Sequence, residues 1–296
     1  MIKKHKTRGV LLTIAGIILI SLSVWLGLFF YHAPARFSGQ CAYQDVVAQV
    51  DFGPRIPGSE AHAQTIFYIQ EELRKAGWKV ELQETQWQGF AIQNIIASRT
   101  DELPQLILGA HYDSRLLADQ DPGPGRTEPV PGANDGASGV AVLLELARTL
   151  PANSIPVWLV FFDSEDNGGL DGRDWIMGSW AFVASLSFQP GAAIIVDMVG
   201  DADLNIYIEA NSDTTMVNEI WAQASALGYG QQFIPSLKYS MLDDHTPFIE
   251  AGIPAIDIID FDYPYWHTAS DTADKVSPNS LQIVGETLLA WIAEQK

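Results

Sequence analysis

Five short motifs in this chain carry acids or histidines: His111-Tyr112-Asp113, Asn134-Asp135-Gly136, Ser164-Glu165-Asp166, Asp197-Met198-Val199-Gly200 and Trp266-His267-Thr268. Four of the five sit at the end of an apolar run that reads as a buried strand. No matching Lys or Arg accompanies them, so gathered together they need a cation. A mixture of carboxylate oxygen and imidazole nitrogen suits zinc. The adjacent Glu165 and Asp166 would then divide labour, one ligating the ion and the other staying free as general base and acid.

Each motif alone admits a plainer reading. Asp135, between a Gly-rich loop and a helix, could be an N-cap. Neighbouring acids such as Glu165 and Asp166 are usually solvated, and His267 could be a packed, hydrogen-bonded histidine. Asp197 ends the run Ala-Ala-Ile-Ile-Val, where a lone buried charge is costly. A sixth stretch, Asp243-Asp244-His245, precedes Thr246-Pro247-Phe248 and could be a helix cap, although two acids before a histidine exceed what a cap requires. The aromatics Phe261, Tyr263, Tyr265 and Trp266 could line a small pocket for an uncharged group.

The elements that must position these groups alternate between strand and helix. A helical stripe at Ala63, Ile66, Ile69 and Leu73 predicts a helix over Ser59–Ala76, ended by Gly77. Strands are expected at Trp78–Leu82, Ile92–Ala97, Gln105–Ala110, Pro156–Phe162, Ala192–Val196 and Ile253–Ile259, with a hairpin-like strand at Leu204–Ile208. Helices are expected over Gly136–Leu150, Trp175–Leu186, Thr214–Leu227 and from Ser277-Pro278 to Glu294. Residues 113–133, rich in Pro, Gly and Asp, form a long loop, which in a compact domain is usually functional. The pattern implies one α/β domain with a central mixed, mostly parallel sheet flanked by helices on both faces. In such a sheet functional groups gather at the carboxyl ends of the strands.

The 296 residues carry a formal charge of -19. The first eight contain Lys3, Lys4, Lys6 and Arg8 and no acid, so the remainder is more acidic than the whole. A strongly acidic surface repels phosphate backbones and argues against a nucleic-acid partner. Val10 to Phe30 contains no charged residue; at about 1.5 Å per residue it can cross a bilayer core of roughly 30 Å. The expected layout is a basic cytoplasmic N-terminus (1–9), a signal-anchor (10–31), a linker (32–44) and an exported catalytic domain (45–296). Secretion after signal cleavage near Ala33-Pro34-Ala35 is the alternative. Gln40 before Cys41 makes a poor lipobox, and a single cysteine excludes an internal disulfide. Gly136-Ala137-Ser138-Gly139-Val140 does not satisfy the serine-hydrolase elbow.

The ordered set HYDS, GANDGASG, FFDSED, DMVG, DDHTPF and WHT resembles the family that unites zinc aminopeptidases with animal-type glutaminyl cyclases, over roughly residues 45–292. The resemblance implies zinc ligands at Asp135, Asp166 and His267, with Glu165 as general base and acid. In the aminopeptidase branch Asp135 would bridge two zinc ions, with His111 and Asp197 as further ligands, and water would attack the first peptide bond. In the cyclase branch a single zinc would serve closure of an N-terminal glutamine to pyroglutamate, with release of ammonia. His111 and Asp197 would then be a hydrogen-bonded pair. Asp166 in place of Glu, the Asp243-Asp244-His245 motif and Trp266 as a pocket wall are similar to the cyclase branch. There Asp244 would hydrogen-bond the reacting amide system. The stretch Ala118-Asp119-Gln120-Asp121-Pro122 is similar to bacterial cyclases, whereas Thr268 to Lys275 is more like an aminopeptidase ending. Peptide or protein N-termini are the implied substrates. A non-catalytic ectodomain of the same fold would be expected to have lost ligands or base, and all are present.

Overall fold

The computed structural model describes residues 36–295. The apolar run at 10–31 lies outside these residues; among those described, no helix is long and apolar enough to cross a membrane.

The chain runs α1 (Gly39–Asp51), α2 (Glu60–Lys75), β1 (Lys79–Trp87), β2 (Phe90–Ser98), β3 (Leu106–His111), α3 (Ala137–Thr149), β4 (Val157–Phe162), α4 (Met177–Ser185) and β5 (Ala192–Asp197). It continues through β6 (Ile206–Glu209), α5 (Thr214–Ala226), β7 (Phe233–Tyr239), α6 (Thr246–Glu250), β8 (Ala255–Ile259) and α7 (Pro278–Glu294). Six strands form one sheet in the order β1-β2-β4-β3-β5-β8. The four from β4 to β8 are parallel, and the β1–β2 hairpin adds antiparallel to β4. This is the mixed, mostly parallel sheet expected.

The apolar runs are continuous because both faces of these strands are covered. Alternate residues Leu106, Leu108, Ala110, Ile194, Val196, Ile256 and Ile258 join the core under α1, α2, α3, α5 and α7. Their neighbours Ile107, Val160, Phe162, Ala193 and Ile195 pack instead with Phe182 of α4 and Phe248 of α6. Local signals set the ends: Ser59 caps α2 by accepting from the His62 N–H at 3.1 Å, and Arg74 and Lys75 occupy its last turn.

Two expectations are corrected. The linker expected over 32–44 is helical from Gly39, because Ala42 and Val46 of α1 enter the core and Asp45 pairs with Arg148 of α3 at 2.6 Å. Leu204–Ile208 does not open a hairpin: β6 pairs in parallel with β7, across α5, in a separate two-stranded sheet. β7 escaped notice because most of it is exposed and carries no alternation. Residues 113–133 are a loop apart from one 3₁₀ turn at Pro124–Thr127.

Register brings the motifs level. His111 of β3 stands opposite Phe162 of β4, and Asp197 of β5 opposite Ile259 of β8. The loops after β3, β4, β5 and β8 therefore open at the same edge, where the two faces of the sheet are fed by different crossovers.

Candidate metal centre

Two groups of ligand-type atoms lie at that edge. Asp135, Asp166 and His267 offer atoms within 4.8 Å of one another, and so do His111, Asp135 and Asp197. Asp135 belongs to both. His267 Nε2 is 2.8 Å from Asp166 Oδ1 and 3.7 Å from Asp135 Oδ2. His111 Nε2 is 3.1 Å from both Asp135 Oδ1 and Asp197 Oδ1. All five residues are buried. Asp135 Oδ2 and Asp166 Oδ2 have no hydrogen-bond partner, which is costly for a buried carboxylate. A cation between them and His267 would satisfy both, and two oxygens with one nitrogen is an acceptable zinc set with an open fourth position.

Asp135 is not an N-cap: α3 is capped by Gly136 without a side-chain bond. A β-carbon at Gly136 would overlap the His111 ring, so only glycine lets the loop run this close to the histidine. Three residues hold left-handed backbone beside the chemistry: Ser164 (φ 54°), Met198 (φ 46°) and His267 itself (φ 54°). Such conformations cost of order 1–3 kcal/mol each and persist where the surroundings over-determine them.

Asp113, within a motif but given no role from sequence, orients the acidic pair. Its carboxylate accepts the backbone N–H groups of Glu165 (3.0 Å) and Asp166 (3.2 Å) and the Asn167 amide (3.1 Å). Burial, with the negative charges of Asp166, Asp243 and Asp244 around it, pushes the Glu165 carboxyl well above the usual range, although His111 opposes the shift. Asp244 is fully buried with both oxygens unpartnered, and burial together with Asp243 raises it strongly as well.

Three further residues escaped the sequence reading. Arg55 is fully buried and donates to the carbonyls of Tyr112 (2.9 Å), Pro131 (2.7 Å), Gly132 (2.6 Å) and Asp135 (3.4 Å). Asp271 accepts from the Asn134 N–H (2.9 Å), the Asp135 N–H (3.2 Å) and the Tyr263 hydroxyl (2.6 Å). Trp175 stacks parallel to His267, with ring centroids 6.0 Å apart, and Trp266 also stacks on it at 3.8 Å. The only advance signals were the Pro/Gly punctuation around Arg55 and the aromatic side chain beside a Gly-rich loop.

The cavity over these groups has a volume of about 230 Å³. Its walls are Trp175, Met198, Met241, Leu242, Ile259, Phe261 and Trp266, and its floor is Asp135, Glu165, Asp166, Asp197 and His267. No Lys or Arg lines it.

Burial raises Asp166 to about 6, helped by repulsion from Asp135 and opposed by His267. It raises Asp197 and Asp271 to about 7, against His111 and Tyr263 respectively. A carboxyl whose folded pKa exceeds its unfolded value of about 3.9 stabilises the fold fully below that value and loses the contribution as pH rises through the folded pKa. The metal-free protein should therefore lose stability as pH climbs from about 4 to about 7. Bound zinc favours the ionised forms, so the gain in Tm on adding zinc should widen over the same interval. Thermal scans with and without chelator measure it; a zinc-induced gain independent of pH would contradict it.

The chain's sequence relationships agree with this geometry. Residues 94–292 match the model of peptidase family M28. The chain belongs to this family. Among solved M28-like structures, the glutaminyl cyclase of Porphyromonas gingivalis is 35% identical with a TM-score of 0.83, over 89% of this chain and 100% of that one. A Zn-dependent exopeptidase from Parabacteroides distasonis is 33% identical, also with a TM-score of 0.83, over 89% of this chain and 100% of its own. The glutaminyl-peptide cyclotransferase-like protein of Bos taurus is 25% identical, over 81% of this chain and 72% of its own. M28 relatives of this chain thus include both cyclases and exopeptidases, on the same α/β scaffold.

Proposed function

We propose that this chain is a zinc-dependent glutaminyl cyclase, converting an N-terminal glutamine to pyroglutamate with release of ammonia. The observation that carries the reading is the small cavity lined by Trp175, Trp266 and His267, with both indoles stacked on the imidazole, and by Glu165, whose carboxyl burial pushes well up; Asp244 lies buried next to the lining residue Asp243. A volume of about 230 Å³ lies below the roughly 300–1,000 Å³ typical of drug-sized ligand sites and suits one side chain with its amine.

In this reading Asp135, Asp166 and His267 hold one zinc ion, which supplies Lewis acidity toward the side-chain amide. Glu165 takes a proton from the α-amine as its nitrogen bonds to the amide carbon. It returns that proton to the departing nitrogen as the carbon–nitrogen bond breaks, so ammonia leaves and no water is consumed. Asp244 accepts a hydrogen bond from the reacting amide. The aromatic walls keep water from competing, and the acidic floor attracts an N-terminal amine. His111 and Asp197 then remain a hydrogen-bonded pair at 3.1 Å.

The second reading is a di-zinc aminopeptidase. It is favoured by the second ligand group, His111, Asp135 and Asp197, within 4.8 Å. Zinc stoichiometry of the purified protein, measured with two assays, decides between them. One zinc per chain with ammonia release from a Gln-initiated peptide is expected. Two zinc ions with release of a free N-terminal residue would replace the cyclase reading.

The placement of this activity is part of the proposal. The uncharged run at 10–31, after a basic cluster, is taken as an anchor holding the catalytic domain outside the cytoplasm. Recovery of the catalytic domain in the soluble fraction, lacking that segment, would support cleavage instead.

A further inference from the structure

The loop after β3 reaches across the site and grips the loop that carries His267. The Gln120 N–H donates to the His267 carbonyl at 3.1 Å, and the Asp121 carboxylate accepts from the Ala269 N–H at 2.8 Å. Just before these two contacts in the chain, Asp119 Oδ1 lies 3.5 Å from His267 Nδ1, an ion-pair separation. The opposite ring nitrogen, Nε2, faces Asp135 and Asp166. Asp119 therefore stands behind the histidine, on the side away from the candidate ion.

Arg115 fixes Asp119 from the other side. Its Nε and one terminal nitrogen reach the two Asp119 oxygens at 3.1 and 2.6 Å, a two-pronged pairing. The other terminal nitrogen donates to the carbonyls of Asp166 (2.7 Å) and Gly168 (3.4 Å). The guanidinium also lies 4.8 Å from the centre of the Trp175 ring, which stacks on His267. A β-carbon at Gly168 would overlap that indole, so the glycine makes room for it. One buried arginine thus touches the backbone of one ligand, the carboxylate behind another and the pocket wall between them.

We infer that Arg115–Asp121 is a strap that positions the metal ligand His267, with Asp119 as the positioning residue and Arg115 as its clamp. From 3.5 Å, an ion-pair contact, the Asp119 carboxylate favours a proton on Nδ1, which leaves Nε2 free to ligate and orients the ring. Through Arg115 the same contact sets the distance between the His267 and Asp166 loops. The inference rests on the metal reading proposed above and holds under either reaction.

The test is the zinc affinity of the full chain, by competition with a chromogenic chelator, for wild type, Asp119→Asn and Arg115→Met. Thermal unfolding of each metal-free form is followed in parallel. Asp119→Asn should bind zinc about 10–100-fold more weakly, with a metal-free Tm within about 2 °C of wild type. Its cobalt-substituted form should show an altered visible d–d spectrum. Arg115→Met should weaken binding in the same direction. Zinc affinity within about twofold of wild type in Asp119→Asn overturns the inference. So does an affinity loss matched by loss of the metal-free fold, which would make the strap merely structural. A wild-type chain that holds no zinc overturns the metal reading itself, and this inference with it.

Discussion

Replacing Glu165 by Gln is expected to lower turnover by about 10²–10⁴-fold, the range supplied by a positioned general base, while zinc stays bound. The side chain's position argues for the first half. Burial and the neighbouring charges of Asp166, Asp243 and Asp244 lift the Glu165 carboxyl well above its ordinary range, which brings a carboxylate closer to the basicity needed at neutral pH. Gln has the same shape and cannot move a proton. The second half follows because Glu165 belongs to neither ligand group. Its backbone N–H, held by Asp113 at 3.0 Å, is unaffected by the change. Removing a like charge beside Asp166 should if anything ease the metal-free fold. The base must be ionised to act, so wild-type kcat/KM should fall on the acid side as Glu165 protonates, and Glu165→Gln should lack that limb. Turnover within tenfold of wild type, or a variant that loses its zinc as Asp166→Ala should, would remove Glu165 from the proposed role.

Arg55→Met should be the most damaging substitution for stability, costing about 3–5 kcal/mol. The guanidinium is fully buried, and burial acts to lower its pKa while Asp271, Asp113, Asp135 and Asp166 hold it up. It ties the chain after β3 to the 131–135 loop through four carbonyl oxygens. Met fills the volume and leaves those buried acceptors unmet, together with an acidic cluster lacking its nearest fixed cation. For a domain of this size the loss corresponds to roughly 10 °C in Tm. Arg55→Lys should recover only part, because an ammonium cannot span that fork of acceptors. A change below about 2 °C in Arg55→Met would show that the carbonyls find other partners.

These two residues differ in how legible they were. Glu165 could be picked out because it follows a very apolar strand and sits beside a second acid. Arg55 lies between prolines and glycines with no periodic context, and nothing in its neighbourhood marks it as buried. The same contrast runs through the site. His111 and Asp197 end recognisable strands, and the strand pairing brings them together. Asp271 meets Asn134 across 137 positions of sequence, and Asp121 meets Ala269 across 148. Contacts of that separation leave no local pattern.

The amino-acid order by itself determined the layered α/β architecture, the strands buried on both faces and the identity of the ligand-type residues. The architecture follows from side-chain periodicity, a property of short segments, and the ligand-type residues from the resemblance of their motifs to the family of zinc aminopeptidases and glutaminyl cyclases. Only the tertiary structure decided that Asp135 stands in both ligand groups, that Trp175 joins Trp266 around His267, and that Arg55, Asp271 and the Arg115–Asp119 clasp hold the loops in place. Those are distances of a few ångströms between segments far apart in sequence. They are fixed by the packing of the whole sheet and its helices, and no single segment encodes them.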